Sequence, residues 1–170
     1  FRSAMFYGLN TGAHHSDRPY PMFMGVPGLK IMAPASASDA KGLLRSAIDS
    51  DDPVLSFEAV LLWGSKEEVQ DGEFRVPFGV ARIRREGADV TLVAISGCVP
   101  MAMKAAEEME ARGVSVEVID PRTLVPLDTQ TIVRSVMKTG RLVIAEPAHK
   151  MCGAAAEISA VVAEEAFSFL

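Results

Sequence analysis

Apolar positions along this chain follow two alternating rhythms. Short apolar runs bounded by turn formers read as buried strands, and longer stretches with apolar residues three and four apart read as helices. Phe1–Tyr7 mixes apolar and polar positions in a strand-like way, and Gly8 ends it. Leu29–Ala33 is a compact apolar run stopped by Pro34, and Val54–Val60 is another. Between them Ala40, Leu43, Leu44, Ala47 and Ile48 make one helical face, with Ser36 and Asp39 at capping-box spacing before it and Asp49–Pro53 as the breaker behind it. Strand, helix and strand joined by a short turn is the parallel crossover unit. Gly64–Pro77 is polar and acidic and reads as a linker between two domains. Beyond it Gly79–Arg85, Val90–Ile95, Val114–Ile119 and Leu142–Ala145 read as strands. Helices are predicted among them from the faces Met101/Ala102/Ala105/Ala106/Met109, Ile132/Val133/Val136/Met137 behind an Asp128 cap, and Ile158/Val161/Val162/Ala166/Phe169. The pattern therefore predicts an α/β chain of two parallel-sheet domains, residues 1–78 and 79–170, with helices on the sheet faces.

One stretch obeys neither rhythm. Thr11–Lys30 carries adjacent histidines, His14 and His15, among Gly12, Pro19, Pro21 and Pro27. Glycine permits backbone angles other residues resist, and proline fixes φ and interrupts helix. The stretch is expected to be a rigid loop presenting imidazoles, which at neutral pH can shuttle protons or bind a metal. The plainer alternative is a loop whose histidines satisfy backbone groups. His14, His15 and Asp17 as a metal site is the weaker reading, because neighbouring residues seldom aim both rings at one ion.

The 170 residues are 49% hydrophobic and 23% charged, the balance of a globular chain. A net charge of −5 argues against a nucleic-acid surface. Cys98 and Cys152 form no C-x-x-C pair or zinc spacing and are expected to be unbonded thiols. No apolar run reaches membrane-span length. The chain opens on Phe1 in strand-like sequence and reads as an excerpt of a longer one, so the lack of a leader says little about location. The dinucleotide fingerprint, the P-loop and the nucleophile elbow are all missing. Ser96–Gly97, Arg122 and Glu146 fall at or just past carboxyl ends of predicted strands, where open sheets bind ligands; loop satisfaction or solvated charge is the competing reading of each.

Six ordered blocks point further: G-A-H-H-S (Gly12–Ser16), V-P-G-L-K (Val26–Lys30), D-A-K-G-L-L (Asp39–Leu44), D-P-V (Asp52–Val54), V-E-V-I-D-P-R-T-L-V-P-L-D (Val116–Asp128) and K-T-G-R-L-V (Lys138–Val143). Together the sequence resembles the beta subunit of the thiamine-diphosphate-dependent 2-oxoacid dehydrogenases, the decarboxylating components of pyruvate, branched-chain 2-oxoacid and acetoin dehydrogenase complexes. The resemblance implies the second half of a transketolase-like pyrimidine-binding domain followed by most of a transketolase C-terminal domain. It implies decarboxylation of a 2-oxo acid and reductive acylation of a lipoyl group. It implies an alpha subunit, in a heterotetramer, that holds the diphosphate and magnesium, and a dihydrolipoyl acyltransferase core as the wider partner. The family's loop histidine falls on His15, while His14 stands where the family often has glutamine. The glutamate that activates the cofactor lies upstream of Phe1 in the family pattern, and the family chain continues past Leu170, so the chain alone is expected to bind thiamine diphosphate weakly or not at all and to turn over no 2-oxo acid. A potassium ion in some relatives implies a metal site at Ala47, Ile48, Ser50 and Asp52, with Ser50 in place of an aspartate and Asp52 in place of an asparagine. The implied location is the cytoplasm of a bacterium or archaeon, or the mitochondrial matrix of a eukaryote. Another enzyme of the superfamily, a transketolase or deoxyxylulose-phosphate synthase, and a non-catalytic assembly module are the rival readings; the V-P-G-L-K and D-P-R-T-L-V-P-L-D blocks favour the dehydrogenase.

Overall fold

The computed structural model describes residues 1–170. Strands β1 (Arg2–Met5), β2 (Lys30–Met32) and β3 (Val54–Ala59) run parallel, and a short strand β7 (Thr123–Val125) from the second half of the chain completes their sheet in the order β1-β3-β2-β7, antiparallel to β2. The second sheet holds β4 (Arg82–Arg85), β6 (Val116–Asp120), β5 (Val90–Ala94) and β8 (Leu142–Ala145) in that order, with β4 antiparallel and the rest parallel. The expected α/β class with two mainly parallel sheets is what forms. Strand order 6-5-8 with helical crossovers follows from apolar strands that must be covered on both faces.

Helix α2 (Ala37–Ile48) starts at the predicted cap: Ser36 Oγ accepts the Asp39 amide at 3.1 Å. It packs Leu43 on Met32 and Val54, and Val76 from the end of the polar segment joins this cluster. Gly42 faces that segment, leaving room for Val76 and Phe74. Helix α3 (Cys98–Glu110) covers one face of the second sheet through Val99, Ala102 and Ala106; helices α4 (Thr129–Thr139) and α5 (Ala154–Glu165) cover the other through Ile132, Val136, Ile158 and Val162. Each of these valines and isoleucines contributes about 1.5–3 kcal/mol by leaving water.

Several details depart from the sequence pattern. Residues Tyr20–Met24, read as loop, form a short helix α1 with Pro21 in its first turn, where the missing N–H costs nothing. Ile48, Met101 and Met137, assigned to core faces, are 67%, 53% and 38% exposed. In α3 the buried ladder starts earlier, at Cys98 and Val99, which rotates Met101 and Ala105 outward. Phe169 lies beyond α5 in a tight turn and is half exposed.

The carboxyl ends of the two sheets face each other. Tyr20, Ile31, Phe57 and Ala59 from the first half share one core with Ile95, Leu124 and Ala154 from the second. Ion pairs reinforce the junction: Asp39 of α2 meets Arg84 of β4 and, at 3.1 Å, Arg122, while Arg84 also holds Asp120 of β6 at 2.6 Å.

Candidate active site

The histidine loop leaves the end of β1 through Phe6 and Tyr7. Gly8, Asn10 and Gly12 all have positive φ, and the Gly12 carbonyl accepts the amides of His15 (3.4 Å) and Ser16 (3.1 Å), closing a tight turn that points both imidazoles outward. His14 and His15 stack obliquely with ring centroids 4.2 Å apart, and neither ring makes a hydrogen bond. Phe6 backs His15 at 5.8 Å, and Trp63, 60% exposed, stands edge-on to Phe6 at 6.5 Å. The result is an open aromatic shelf carrying an unengaged imidazole. An imidazole in this state can donate or accept a proton from whatever docks on the shelf. Phe6 and Trp63 carried no signal in the sequence: they lie far apart in the chain, and the parallel pairing of β1 with β3 brings them together.

No group of three His, Cys, Asp or Glu side chains converges to hold a metal, at His14–His15–Asp17 or elsewhere. The loop at Ala47, Ile48, Ser50 and Asp52 is organised by a side chain. Lys30 Nζ lies 3.0 Å from Ser50 Oγ and 3.0 Å from Asp52 Oδ2, and the Ala47 carbonyl accepts the Ser50 amide at 3.4 Å. Of the four expected residues, the two with oxygen-bearing side chains, Ser50 and Asp52, thus already face an ammonium.

Ser96, Gly97, Arg122 and Glu146 do stand at carboxyl ends of strands, but the first half of the chain fills the space a ligand would take. Ser96 Oγ donates to the Pro34 carbonyl at 3.4 Å. A Cβ on Gly97 would lie 3.0 Å from the Tyr7 ring and 3.2 Å from Ala59 Cβ. Arg122 binds Asp39 and the Val80 carbonyl, and Glu146 accepts the Tyr20 hydroxyl at 2.7 Å. These residues join the halves. Burial pushes the Tyr7 hydroxyl up to about 12, with Cys98 beside it adding to the effect. Burial likewise raises the Cys98 thiol and the Tyr20 hydroxyl. Cys98 is buried, Cys152 is exposed and both are free thiols. Two cavities, of about 810 and 650 Å³, are lined around Met22, Pro126 and Cys152 and around Leu142, Ala148 and Ser159; His15 borders neither.

Comparison with known proteins places this geometry. Residues 79–170 match the family described as transketolase, C-terminal domain, and residues 1–63 match the transketolase pyrimidine binding domain. The chain is 47% identical to pyruvate dehydrogenase E1 component subunit beta-1, mitochondrial, of Arabidopsis thaliana, over 100% of its own length and 48% of that protein's. It is 43% identical to acetoin:2,6-dichlorophenolindophenol oxidoreductase subunit beta of Bacillus subtilis (strain 168), over 96% of this chain and 48% of the relative. A solved split-gene transketolase, described as an inactive beta4 tetramer, superposes with a TM-score of 0.83 at 27% identity, covering 97% of this chain and 53% of that one. The chain spans about half the length of the curated relatives it matches. Its two sheets, joined through their carboxyl ends behind a loop histidine, belong to the transketolase family: a pyrimidine-binding segment followed by a transketolase C-terminal domain.

Proposed function

We propose that this chain is part of the beta subunit of a thiamine-diphosphate-dependent 2-oxoacid dehydrogenase, acting on pyruvate or a branched-chain 2-oxo acid and passing the acyl group to lipoyl. The observation that carries the reading is the unengaged His15 imidazole on its aromatic shelf, in a chain whose relatives are named as beta subunits of pyruvate and acetoin enzymes. In this reading residues 1–78 are the later half of the pyrimidine-binding domain and residues 79–170 the C-terminal domain.

Thiamine diphosphate, when bound, supplies an electron sink for decarboxylation. The residues of this chain fit that group only from one side. They offer imidazole and aromatic surface, and bring together no carboxylate set for magnesium. In this reading the diphosphate and magnesium are held by an alpha partner, and the open face of the His15 shelf is where that partner and the lipoyl arm of an acyltransferase core would approach. His15 holds the proton that the departing lipoyl sulfur needs as the disulfide opens. A potassium ion at Ala47, Ile48, Ser50 and Asp52 would use backbone carbonyls, because Lys30 occupies the Ser50 and Asp52 side chains. A lower melting temperature when tetramethylammonium replaces potassium supports that ion, and an unchanged one removes it. No helix is long and apolar enough to cross a membrane. The location would be cytoplasmic in a bacterium or archaeon and the matrix in a mitochondrial setting.

The test is reconstitution. The full-length protein carrying this sequence, mixed with its alpha partner, should gain thiamine-diphosphate affinity by calorimetry and reduce lipoyl in the presence of a 2-oxo acid. His15→Ala should slow the lipoyl step by about two to four decades. If the assembled protein binds cofactor but turns over only ketose phosphates, it is another enzyme of the superfamily; if it binds no cofactor in any mixture, it is an assembly module.

A further inference from the structure

The loop that presents His15 is fastened to the second half of the chain at both ends. It departs β1 at Tyr7, whose ring presses on Gly97 and whose hydroxyl lies 3.9 Å from Cys98 Sγ at the start of α3. It enters α1 at Tyr20, which is fully buried and donates to Glu146 Oε1 at 2.7 Å. Arg18 draws these two ends together. Its guanidinium sits 5.1 Å over the Tyr7 ring, donates to the Ser16 carbonyl and pairs with no carboxylate.

Of the two anchors the Tyr20 end is the stiffer. Glu146 follows β8, and its two oxygens also accept the amides of Ala154 and Ala155 at 2.8 Å each, the first turn of α5. A carboxylate held by two helix amides is a fixed post, and a hydrogen bond to an ionised acceptor is stronger and shorter than a neutral one. Gly153 is needed for this arrangement, because a Cβ there would fall 2.6 Å from Glu146 Oε2. The Tyr7 end has only a long hydroxyl–sulfur contact. Between the anchors the turn at Gly12–Ser16 makes no hydrogen bond to the second half, so its position is inherited from its ends.

We propose that Tyr20, held by Glu146, is a positioning residue for His15: the C-terminal domain sets where the imidazole stands on the pyrimidine-binding side. This rests on the reading of His15 as the residue acting in acyl transfer to lipoyl. Misplacement of a catalytic group by about 1 Å costs on the order of a hundredfold in rate. The hydroxyl of Tyr20 touches no reactant and acts only through the loop.

The experiment is Tyr20→Phe in the assembled enzyme, which keeps the buried ring and removes the hydroxyl. Two rates are read with the same 2-oxo acid: reductive acylation of a free lipoyl domain, and reduction of an artificial electron acceptor that bypasses lipoyl. The ratio of the first to the second should fall by roughly ten- to a hundredfold, through kcat and with KM for the lipoyl domain held. Amide exchange across Gly12–Asp17 should quicken while α5 stays protected. A bond that merely holds the fold together would lower both rates alike; an unchanged ratio, or unchanged exchange in the loop, overturns the proposal. Glu146→Gln is the second variant should Tyr20→Phe fold poorly, with the same fall in ratio expected. His15→Ala run in parallel separates the two ideas. If it leaves acyl transfer intact, the functional reading fails and this inference with it; if it slows acyl transfer while Tyr20→Phe does not, only the positioning role is lost.

Discussion

Above β6 there is room for a hydrogen atom at Gly87 and nothing larger. A Cβ there would lie 2.2 Å from the Glu117 amide nitrogen and the Val116 carbonyl carbon, backbone atoms that cannot turn aside. Gly87→Ala should therefore cost about 3 kcal/mol, the upper end of overpacking, measured as a shift in denaturant midpoint. Gly42→Ala is the contrasting case. Its Cβ meets only side chains, Val76 Cγ2 at 2.6 Å and Phe74 Cε2 at 2.7 Å, and alanine regains about 1 kcal/mol of helix propensity. A net loss of about 1 kcal/mol is expected there. At the candidate site, His14→Ala should leave the lipoyl step within about tenfold of the parent while His15→Ala does not, because Phe6 backs only the second ring. The loop pattern offered two imidazoles, His14 and His15, and only the family resemblance chose the second. Tyr20 and Glu146 were not legible as a pair, since nothing local couples residues so distant in the chain.

Among the elements, helix α4 shows what a single cap does. Asp128 accepts the Thr131 amide and hydroxyl at its own helix start, and the Ala81 amide just ahead of β4. Burial acts to raise its carboxyl, but those amides and the hydroxyl outweigh burial and hold it below the ordinary value of 3.8. A depressed carboxyl contributes stability that is complete above the unfolded-state value and drains away as pH falls through the folded one. Unfolding free energy should thus decline below about pH 4, with a shallower decline in Asp128→Asn; Asp128→Ala should lose about 1–2 kcal/mol at neutral pH. This cap was readable in the sequence, as was the Ser36 cap, because each is a local rule carried by residues three apart. Two other elements were not. Pro19 and Pro21 mask α1, since proline both breaks helices and begins them. Strand β7 is three residues long between Pro121 and Pro126, too short to show alternation, and exists only because β2 has a free edge beside it.

At the scale of the molecule, charge ties the halves together. Asp39 is 1% exposed and Asp120 is 0% exposed, with Arg84 between them. Burial pushes Asp39 upward, yet Arg84, Ser36 and Arg122 overcome it and keep the carboxyl below its usual range; at Asp120 burial prevails and the carboxyl lies above. Removing one partner of such a network costs about 3 kcal/mol, so Asp39→Asn should lower the calorimetric melting temperature by about 10 °C. Strand β7 adds a second tie of another kind. The exposed polar stretch from Gly64 to Glu73 is where a protease meets the chain most easily, yet everything after it is woven back: Phe74 and Val76 lie against α2, and β7 lies along β2. Cleavage there should yield two polypeptides that run as one particle in gel filtration and part only in denaturant. The same geometry means that the two pieces, made separately, should find each other, each being the missing edge and lining of the other.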